Sequence, residues 1–465
     1  MSGPAVGLIG YGAYLPSYRL GGDSGVRGRR VVASFDEDAT TMAVEAARAA
    51  LGTEPTSLWW ASTSPPYLDK TNAAAVHAAL RLPSAVPAAD LIGSARSTFA
   101  GIRAARETGG LVVAADVRVG KPGSLDERTG GDGAAATRPP VSLDERTGGD
   151  GAAAVHFGAG EAIADVLGVA GETLELLDRW RDPHRTTGEQ WEERFGFERY
   201  ADVVRSVAAR LLEEAGLAAA DHVVVTSGNP GVTKRAGSLV TGTLSSTTSP
   251  IGFSGAADPL LGLAAVLDVA GPGETVLVLS ATDGCDGLLL RTTAHLSARR
   301  STRPVAAQLE GALPVPYPTY LSWRGLLERE LPRRPEPDRP AGPPSARAAE
   351  WKFGFAGSRC TECGFLHLPP LRVCRACSAV DAMETVSGAE LSGSVATFTV
   401  DRLAFSPSPP VVDVVVDFAG GGRTTLEVAD ADPDGIAVGS QVELVFRRLF
   451  TAGNVHNYFW KARVR

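Results

Sequence analysis

Over its first 330 residues the chain mixes two hydrophobic periods. Continuous apolar runs at 6–15 ("VGLIGYGAYL"), 111–117 ("LVVAADV"), 222–227 ("HVVVTS") and 275–281 ("TVLVLSA") predict buried strands. Between them, 34–51 ("SFDEDATTMAVEAARAAL") places Ala39, Met42, Ala43, Ala46, Ala47 and Ala50 on one stripe at spacings of three and four. That spacing predicts a helix, with Asp36, Glu37 and Asp38 at the end where the helix dipole favours negative charge. The small residues of the stripe allow close packing. The run 258–270 ("DPLLGLAAVLDVA") predicts a buried helix. Strands alternating with helices predict an α/β body over 1–330.

The pattern then changes. Residues 331–349 ("LPRRPEPDRPAGPPSARAA") are rich in Pro, Arg and Ala and predict an extended linker. Beyond it, short runs ("GSVATFTVD", "VVDVVVDFA", "RTTLEVAD", "QVELVFRRL") are separated by Gly-rich or Pro-rich turns. They predict a small OB-type barrel over 385–465. Residues 350–384 hold "CTECGFLHLPPLRVCRAC", two CxxC knuckles made by Cys360 with Cys363 and Cys374 with Cys377. Four soft thiolates can close a tetrahedral site with no open position, which favours structural zinc over a catalytic metal. Iron in the same site, or a ribbon without metal, are the alternatives. His367, between the knuckles, is expected at the surface.

Composition narrows the function. The formal net charge is −8, and the barrel strands do not interleave aromatic with basic residues, so nucleic acid is a poor partner. No apolar run is long enough to span a bilayer, and the N-terminus lacks the basic start of a signal peptide, so no membrane association and a cytoplasmic location are expected. Five cysteines, four of them in knuckles, suit metal in a reducing compartment better than disulfides. One oddity stands apart. "SLDERTGGDGAAA" occurs at 124–136 and again at 142–154. It is too short for a repeat architecture and reads as a tandem duplication in a surface loop, the second copy holding the native place.

Several dispersed pieces, in order, carry a family resemblance: "GLIGYGAYLPSYRL", "FDEDATTMAVEAARAAL", "STSPPYLDK", "DLIGSARSTFAGIRAA", "GKPGSLDERTGGDGAAA", "DRWR", "DHVVVTSGNPG", "PIGFSGAADPLLGLAAVLD" and "YLSWRG". Over 7–330 the chain resembles the hydroxymethylglutaryl-CoA synthase family, in its archaeal-type branch, within the thiolase superfamily. The resemblance implies a thiolase-like fold of two pseudo-repeated halves, an acyl-CoA or acyl-carrier thioester as ligand, and a homodimer. It also implies a Cys nucleophile, a Glu that assists carbanion formation, and a His with an Asn that order the second substrate. None of these stands in its place. The Cys position, counted from Asp90, is Ala95; the Glu position is Thr63; the His position is Thr226, or Ser227 one residue on. Phe253 stands in or near the place of the Asn. A methyl group cannot carry an acyl chain, so the usual covalent route is not expected. Cys285, the one cysteine outside the ribbon, is expected to be a small buried residue.

The ribbon and barrel resemble the DUF35 family, a rubredoxin-like zinc ribbon joined to an OB-fold that accompanies thiolase-superfamily proteins. Two functions follow from the combined resemblance. One is aldol- or Claisen-type chemistry on a thioester without a covalent intermediate, with Tyr67, Asp69, Lys70, His156 and Asp283 as candidate polar groups. The other is a catalytically inactive thioester-binding scaffold that supports a partner thiolase or ketosynthase. The first predicts polar groups converging beside Ala95; the second predicts an apolar or collapsed pocket there.

Overall fold

A computed structural model describes residues 6–20, 30–122, 148–190, 193–246, 251–311, 313–330, 334–339 and 347–465. The chain divides into two compact units. The first holds residues up to Ala33, Asp38–Ala74 and Ser84–Tyr317; the second holds Ser34–Glu37, Ala75–Pro83 and Pro318–Arg465.

Ten strands make the sheet of the first unit: β1 (Gly7–Tyr14), β2 (Leu58–Ser62), β3 (Ala88–Ile92), β4 (Gly110–Asp116), β5 (Gly151–Gly158), β6 (Ala164–Thr173), β7 (Ala220–Ser227), β8 (Gly242–Ser246), β9 (Thr275–Ala281) and β10 (Gly284–Thr292). Their order is β8-β7-β9-β10-β6-β1-β5-β4-β2-β3. Each strand of the second five occupies the place of its counterpart in the first. Pairing repeats as well: β2 is parallel to β3 and β4, and β4 and β1 are antiparallel to β5; β7 is parallel to β8 and β9, and β9 and β6 are antiparallel to β10. The halves meet where Leu8 pairs with Ala164. This is the two-half thiolase architecture expected from the sequence.

Helices cover the sheet on both sides. α1 (Ala39–Ala50) starts at a capping box in which Asp38 accepts from the Thr41 backbone N–H and Thr41 Oγ1 accepts from the Asp38 N–H. The helix begins later than the hydrophobic pattern suggested, so Asp36 and Glu37 lie outside its first turn. Its small stripe works as predicted. A Cβ on Gly10 would stand 2.3 Å from the Ala50 carbonyl oxygen, and one on Gly12 2.5 Å from that of Ala46, so helix and strand backbones nearly touch. α2 (Ser97–Thr108) and α4 (Asp258–Leu267) share one core with the inward faces of both halves, including Phe99, Ile102, Val112, Val155, Leu261 and Val278. α3 (Glu193–Glu214) covers the outer face of the second half through Tyr200, Val204, Val207 and Leu211. Only residues 148–154 of the second copy of the duplicated sequence are described; Gly148 bridges Phe253, and Gly151 opens β5. The first copy lies outside the described residues.

The second unit contains a three-stranded ribbon, Ala356–Cys360 flanked by Leu366–His367 and Met383–Ser387. Five further strands follow in the order Arg423–Glu427, Val411–Phe418, Gly393–Asp401, Gln441–Ala452, Val455–Val464. A bridge between Val428 and Ala462 closes them into a barrel. Along Val411–Phe418 every second residue is buried, as one-sided packing requires.

Charge is also buried in this unit. Arg447 is fully buried and its Nη2 lies 3.1 Å from Glu37 and 3.2 Å from Asp430. Lys461, equally buried, sits 2.8 Å from Asp36 and 2.5 Å from Glu427. Burial alone would raise the Asp36 carboxyl; Lys461 and Arg447 outweigh it and hold that carboxyl below its usual range. The Ser34–Glu37 segment is therefore tied to the barrel strands by ion pairs and by the Arg448 N–H, which donates to the Asp36 carbonyl at 2.8 Å.

Candidate active site

Parallel strands of an α/β sheet open their ligand clefts at their carboxyl ends. In the first unit those ends meet at a cavity of about 160 Å³. Thr63 follows β2, Ser94 and Ala95 follow β3, Arg118 follows β4, Gly228 follows β7, and Asp283 follows β9. Both halves therefore contribute to one site.

Ala95 lines this cavity and is 5% exposed. Beside it the chain supplies oxygen acids. Asp283 occupies a left-handed turn, φ 47°, between β9 and β10, a conformation that Asp tolerates better than most residues. The turn is fastened on several sides: Arg96 donates to the Asp283 carbonyl at 2.7 Å, the Leu174 N–H to the same oxygen at 3.0 Å, and the Asp283 N–H to the Tyr200 hydroxyl at 3.4 Å. Arg96 is itself fixed by the buried Asp286, 2.6 Å away. Burial raises the Asp283 carboxyl above its ordinary range, although a hydrogen bond with Ser94 and the charge of Arg96 pull the other way. Asp178, 3% exposed, is raised by burial too, against a hydrogen bond from Asn229 and the charge of Arg179, and Asp283 adds repulsion. Tyr200 lines the same cavity and is pushed up by burial, then by Asp178 and Asp283. Two carboxyls and a phenol, all raised by burial, thus line one cavity, an arrangement chemically able to exchange protons.

The wall at Thr63 is different. The fully buried Asp116 accepts from Ser62 Oγ, the Thr63 N–H and Oγ1, the Ser64 N–H and Oγ, and the Ala256 N–H, all within 2.6–2.9 Å. Its lone pairs are spent on holding the loop. Arg118 Nη1 donates to Thr63 Oγ1 at 2.8 Å, and Arg181 donates to the Thr63 carbonyl. The guanidinium carbons of Arg118 and Arg179 stand 5.2 Å and 5.4 Å from the centre of the Phe253 ring.

Of the residues singled out in the sequence, the structure brings Ala95, Thr63, Phe253 and Asp283 to one cavity. Thr226 lies within β7, fully buried, and donates to the Leu279 carbonyl at 3.3 Å; Ser227 donates to that of Ala281 at 2.8 Å. Neither lines the cavity. His156 is buried in β5, paired with Gly10 and Leu111, and burial lowers its ring to about 4. Tyr67 is half-buried in a loop fixed by Asn72, and Asp69 and Lys70 are exposed. Cys285 packs in the outer core under α3 and burial pushes its thiol up, so it offers no nucleophile. Sequence reasoning missed Asp178 and Tyr200. Asp178 opens "DRWR", which was visible as a motif, but nothing in it announced a buried carboxyl; Tyr200 arrives from α3 by packing alone.

In the second unit the Sγ atoms of Cys360, Cys363, Cys374 and Cys377 all lie within 4.8 Å of one another, with Cys360–Cys377 at 3.6 Å and Cys363–Cys374 at 3.5 Å. A tetrahedral zinc with ligands at about 2.3 Å places its sulfurs about 3.8 Å apart, so the donor set fits zinc. His367 corrects an expectation. It is 3% exposed, packs on Phe365 with ring centres 5.0 Å apart, and its side chain contacts Cys374. The strand Leu366–His367 turns it inward beside the knuckles.

Comparison with known proteins agrees with this architecture. The first unit aligns with the hydroxymethylglutaryl-CoA synthase of Methanosphaera stadtmanae at 28% identity over 367 residues, covering 69% of this chain and 99% of that protein. The body is similar in sequence to hydroxymethylglutaryl-CoA synthases. Residues 354–384 match the family described as the ChsH2 rubredoxin-like zinc ribbon domain, and 388–447 the ChsH2 C-terminal OB-fold domain. Among solved structures, an HMG-CoA synthase complexed with CoA shares the fold at TM-score 0.53 and 14% identity, over 68% of this chain and 89% of that one. The HMG synthase of the curacin biosynthetic pathway, in complex with acetyl donor-ACP, does so at 0.55 and 16%, over 68% and 88%. The chain thus joins a synthase-like body to a ChsH2-type tail. Among the described residues, no helix is long and apolar enough to cross a membrane.

Proposed function

We propose that the chain binds an acyl-CoA or acyl-carrier thioester beside Ala95 and makes or breaks a carbon–carbon bond without an acyl-enzyme. The observation that carries this reading is the convergence of Asp283, Ser94, Asp178 and Tyr200 on the space the Ala95 methyl leaves open. An inactive scaffold has no need of a raised carboxyl in a fastened turn with a second raised carboxyl lining the same cavity. CoA and acyl-carrier ligands in fold relatives support the ligand class.

In the cleavage direction the substrate is a β-hydroxyacyl thioester. Ionised Asp283 takes the β-hydroxyl proton as the Cα–Cβ bond breaks. The oxygen lone pair becomes the carbonyl of the released aldehyde or ketone, and the bond pair moves onto the thioester as an enolate. The proton held at Asp283 then returns to the enolate carbon. The reverse sequence is an aldol addition. A carboxyl raised toward neutrality is a stronger base than an ordinary one and suits this step. Ser94, hydrogen-bonded to Asp283, orients it. Zinc held by the four cysteines is structural and enters no step.

The test is mass spectrometry of the purified chain with a panel of β-hydroxyacyl-CoA esters, reading products and intact protein mass together. Chain-shortened CoA esters with no protein adduct are expected, and Asp283→Asn abolishes them. An adduct, or turnover that survives Asp283→Asn, overturns this mechanism. No turnover with any ester favours the alternative reading, a scaffold that supports a partner thiolase or ketosynthase.

A further inference from the structure

A second cavity, of about 310 Å³, lies within the second unit where the ribbon meets the barrel. The ribbon strand Leu366–His367 reaches the barrel turn at 420–422. The Leu366 N–H donates to the Gly420 carbonyl at 2.8 Å, and Leu366 bridges Gly421. Gly421, at φ 100°, admits the Phe365 ring; a Cβ there would stand 2.7 Å from it. Phe365, Leu368, Leu371 and Phe418 make the walls apolar and partly aromatic. Into this lining comes one polar group without a match. His367 is 3% exposed, and its Nε2 is buried with no hydrogen-bond partner among the described residues. Its ring contacts Cys374 and also lines the cavity. Two cations lie at the exposed edge. Arg423 is spent on Asp417, with contacts of 2.5 Å and 2.6 Å, whereas Arg375 has no ion pair among the described residues.

We infer that this cavity binds a small hydroxylated aromatic molecule, a phenol, with its ring among Phe365, Leu371 and Phe418 and its hydroxyl on His367 Nε2. The site is separate from the thioester cavity and does not depend on that reading. The volume is at the lower end of the ~300–1,000 Å³ of small-molecule sites, and an apolar lining with one placed polar group is their usual design. A hydroxyl both donates and accepts, so it satisfies Nε2 in whichever tautomer the Cys374 contact selects. A carboxylate fits less well, because four thiolates keep a net negative charge beside His367 even around zinc. An ammonium group cannot accept a hydrogen bond and would share the cavity with Arg375. The Arg375 guanidinium instead suits the face of a bound ring.

The experiment uses the zinc-loaded full chain and two probes of one shape, p-cresol and toluene, with benzoate as the anionic reference. Binding is read by saturation-transfer NMR and by calorimetry. p-Cresol is expected to bind at least about threefold more tightly than toluene, the effect of one hydrogen bond to a buried and otherwise unpaired nitrogen. In His367→Phe, checked for retained zinc, that ratio falls toward one while toluene binding is kept. Leu371→Trp fills the cavity, leaves His367 in place and weakens both probes; it locates the site even where His367→Phe loses its zinc. Equal binding of the two probes to the unmodified chain, or binding of neither, overturns the inference. Benzoate binding more tightly than p-cresol overturns the ligand class and the inference with it. A ratio that survives both variants puts the phenol elsewhere on the molecule and also overturns it. Each of these outcomes leaves the thioester reading where it stood, so the two fail separately.

Discussion

Acids are buried in both units, with opposite results. Asp36 and Glu37 stand among Arg447 and Lys461, and Asp36 is held below its usual range. Asp178 and Asp283 are less completely compensated, and both are raised. The same side chain is held ionised in one place and drawn toward its neutral form in the other. What differs is how far the neighbouring cations offset burial: Lys461 and Arg447 outweigh it at Asp36, whereas Arg179 and Arg96 do not at Asp178 and Asp283. Burial of charge is thus not itself a sign of function; the balance of the neighbours is.

Removing one partner of the ion network should have the largest effect. Lys461→Met leaves Asp36 and Glu427 facing one another without their cation and should cost about 3–5 kcal/mol, read as a lowered denaturant midpoint of the full chain. Asp283→Asn is expected to abolish turnover while leaving the midpoint at neutral pH equal or higher, because it removes a charge that burial disfavours. A large stability loss in Asp283→Asn would erase the contrast between the two sites.

Acid titration should separate the groups next. His156 lies well below its ordinary value of 6.5, at about 4, so the folded state resists its protonation. Its contribution is complete above 6.5 and is lost as pH falls toward 4, by up to about 3 kcal/mol. His156→Gln should flatten that part of the stability profile. Asp36 is depressed, so its contribution is present above the ordinary value of 3.8 and lost as pH falls through the folded value. Asp283 and Asp178 are raised, so they favour the folded state at acid pH and lose that contribution as pH rises through their folded values. Turnover should rise over the same interval as the base ionises. The smallest change is expected from Ser94→Ala. The hydrogen bond from Ser94 lowers Asp283, so its loss should move the acid limb of the rate profile upward with less than about a tenfold change at the plateau.

Much of the architecture was legible. The runs 275–281 and 258–270 correspond to β9 and to α4, and "GSVATFTVD" to the strand Gly393–Asp401, because continuous or alternating apolar runs leave few other solutions. Strands with weaker patterns were not anticipated. β3 (Ala88–Ile92) is half-exposed and β6 (Ala164–Thr173) alternates irregularly; the sheet supplies their pairing, not their own sequence. Ala95, Thr63 and Asp283, which line the cavity, were named by position. Asp178 and Tyr200 were not, since their chemistry comes from burial and from neighbours distant in the chain. His367 was misplaced for the same reason. Histidine is amphipathic, and no local pattern says that a two-residue strand turns it inward.

The short segment Ser34–Glu37 has a consequence for biosynthesis. It belongs to the second unit, yet its partners Arg447 and Lys461 are made more than four hundred residues later. At roughly 5–20 residues per second, the ribosome leaves Asp36 and Glu37 without those cations for roughly 20–80 seconds. The first unit can gather its own strands meanwhile, but the nascent chain holds an acidic tether that only its last strands can secure. The two units are consequently not two successive pieces of chain, and separating them at the Pro-rich linker would leave Asp36 and Glu37 on one fragment and their partners on the other.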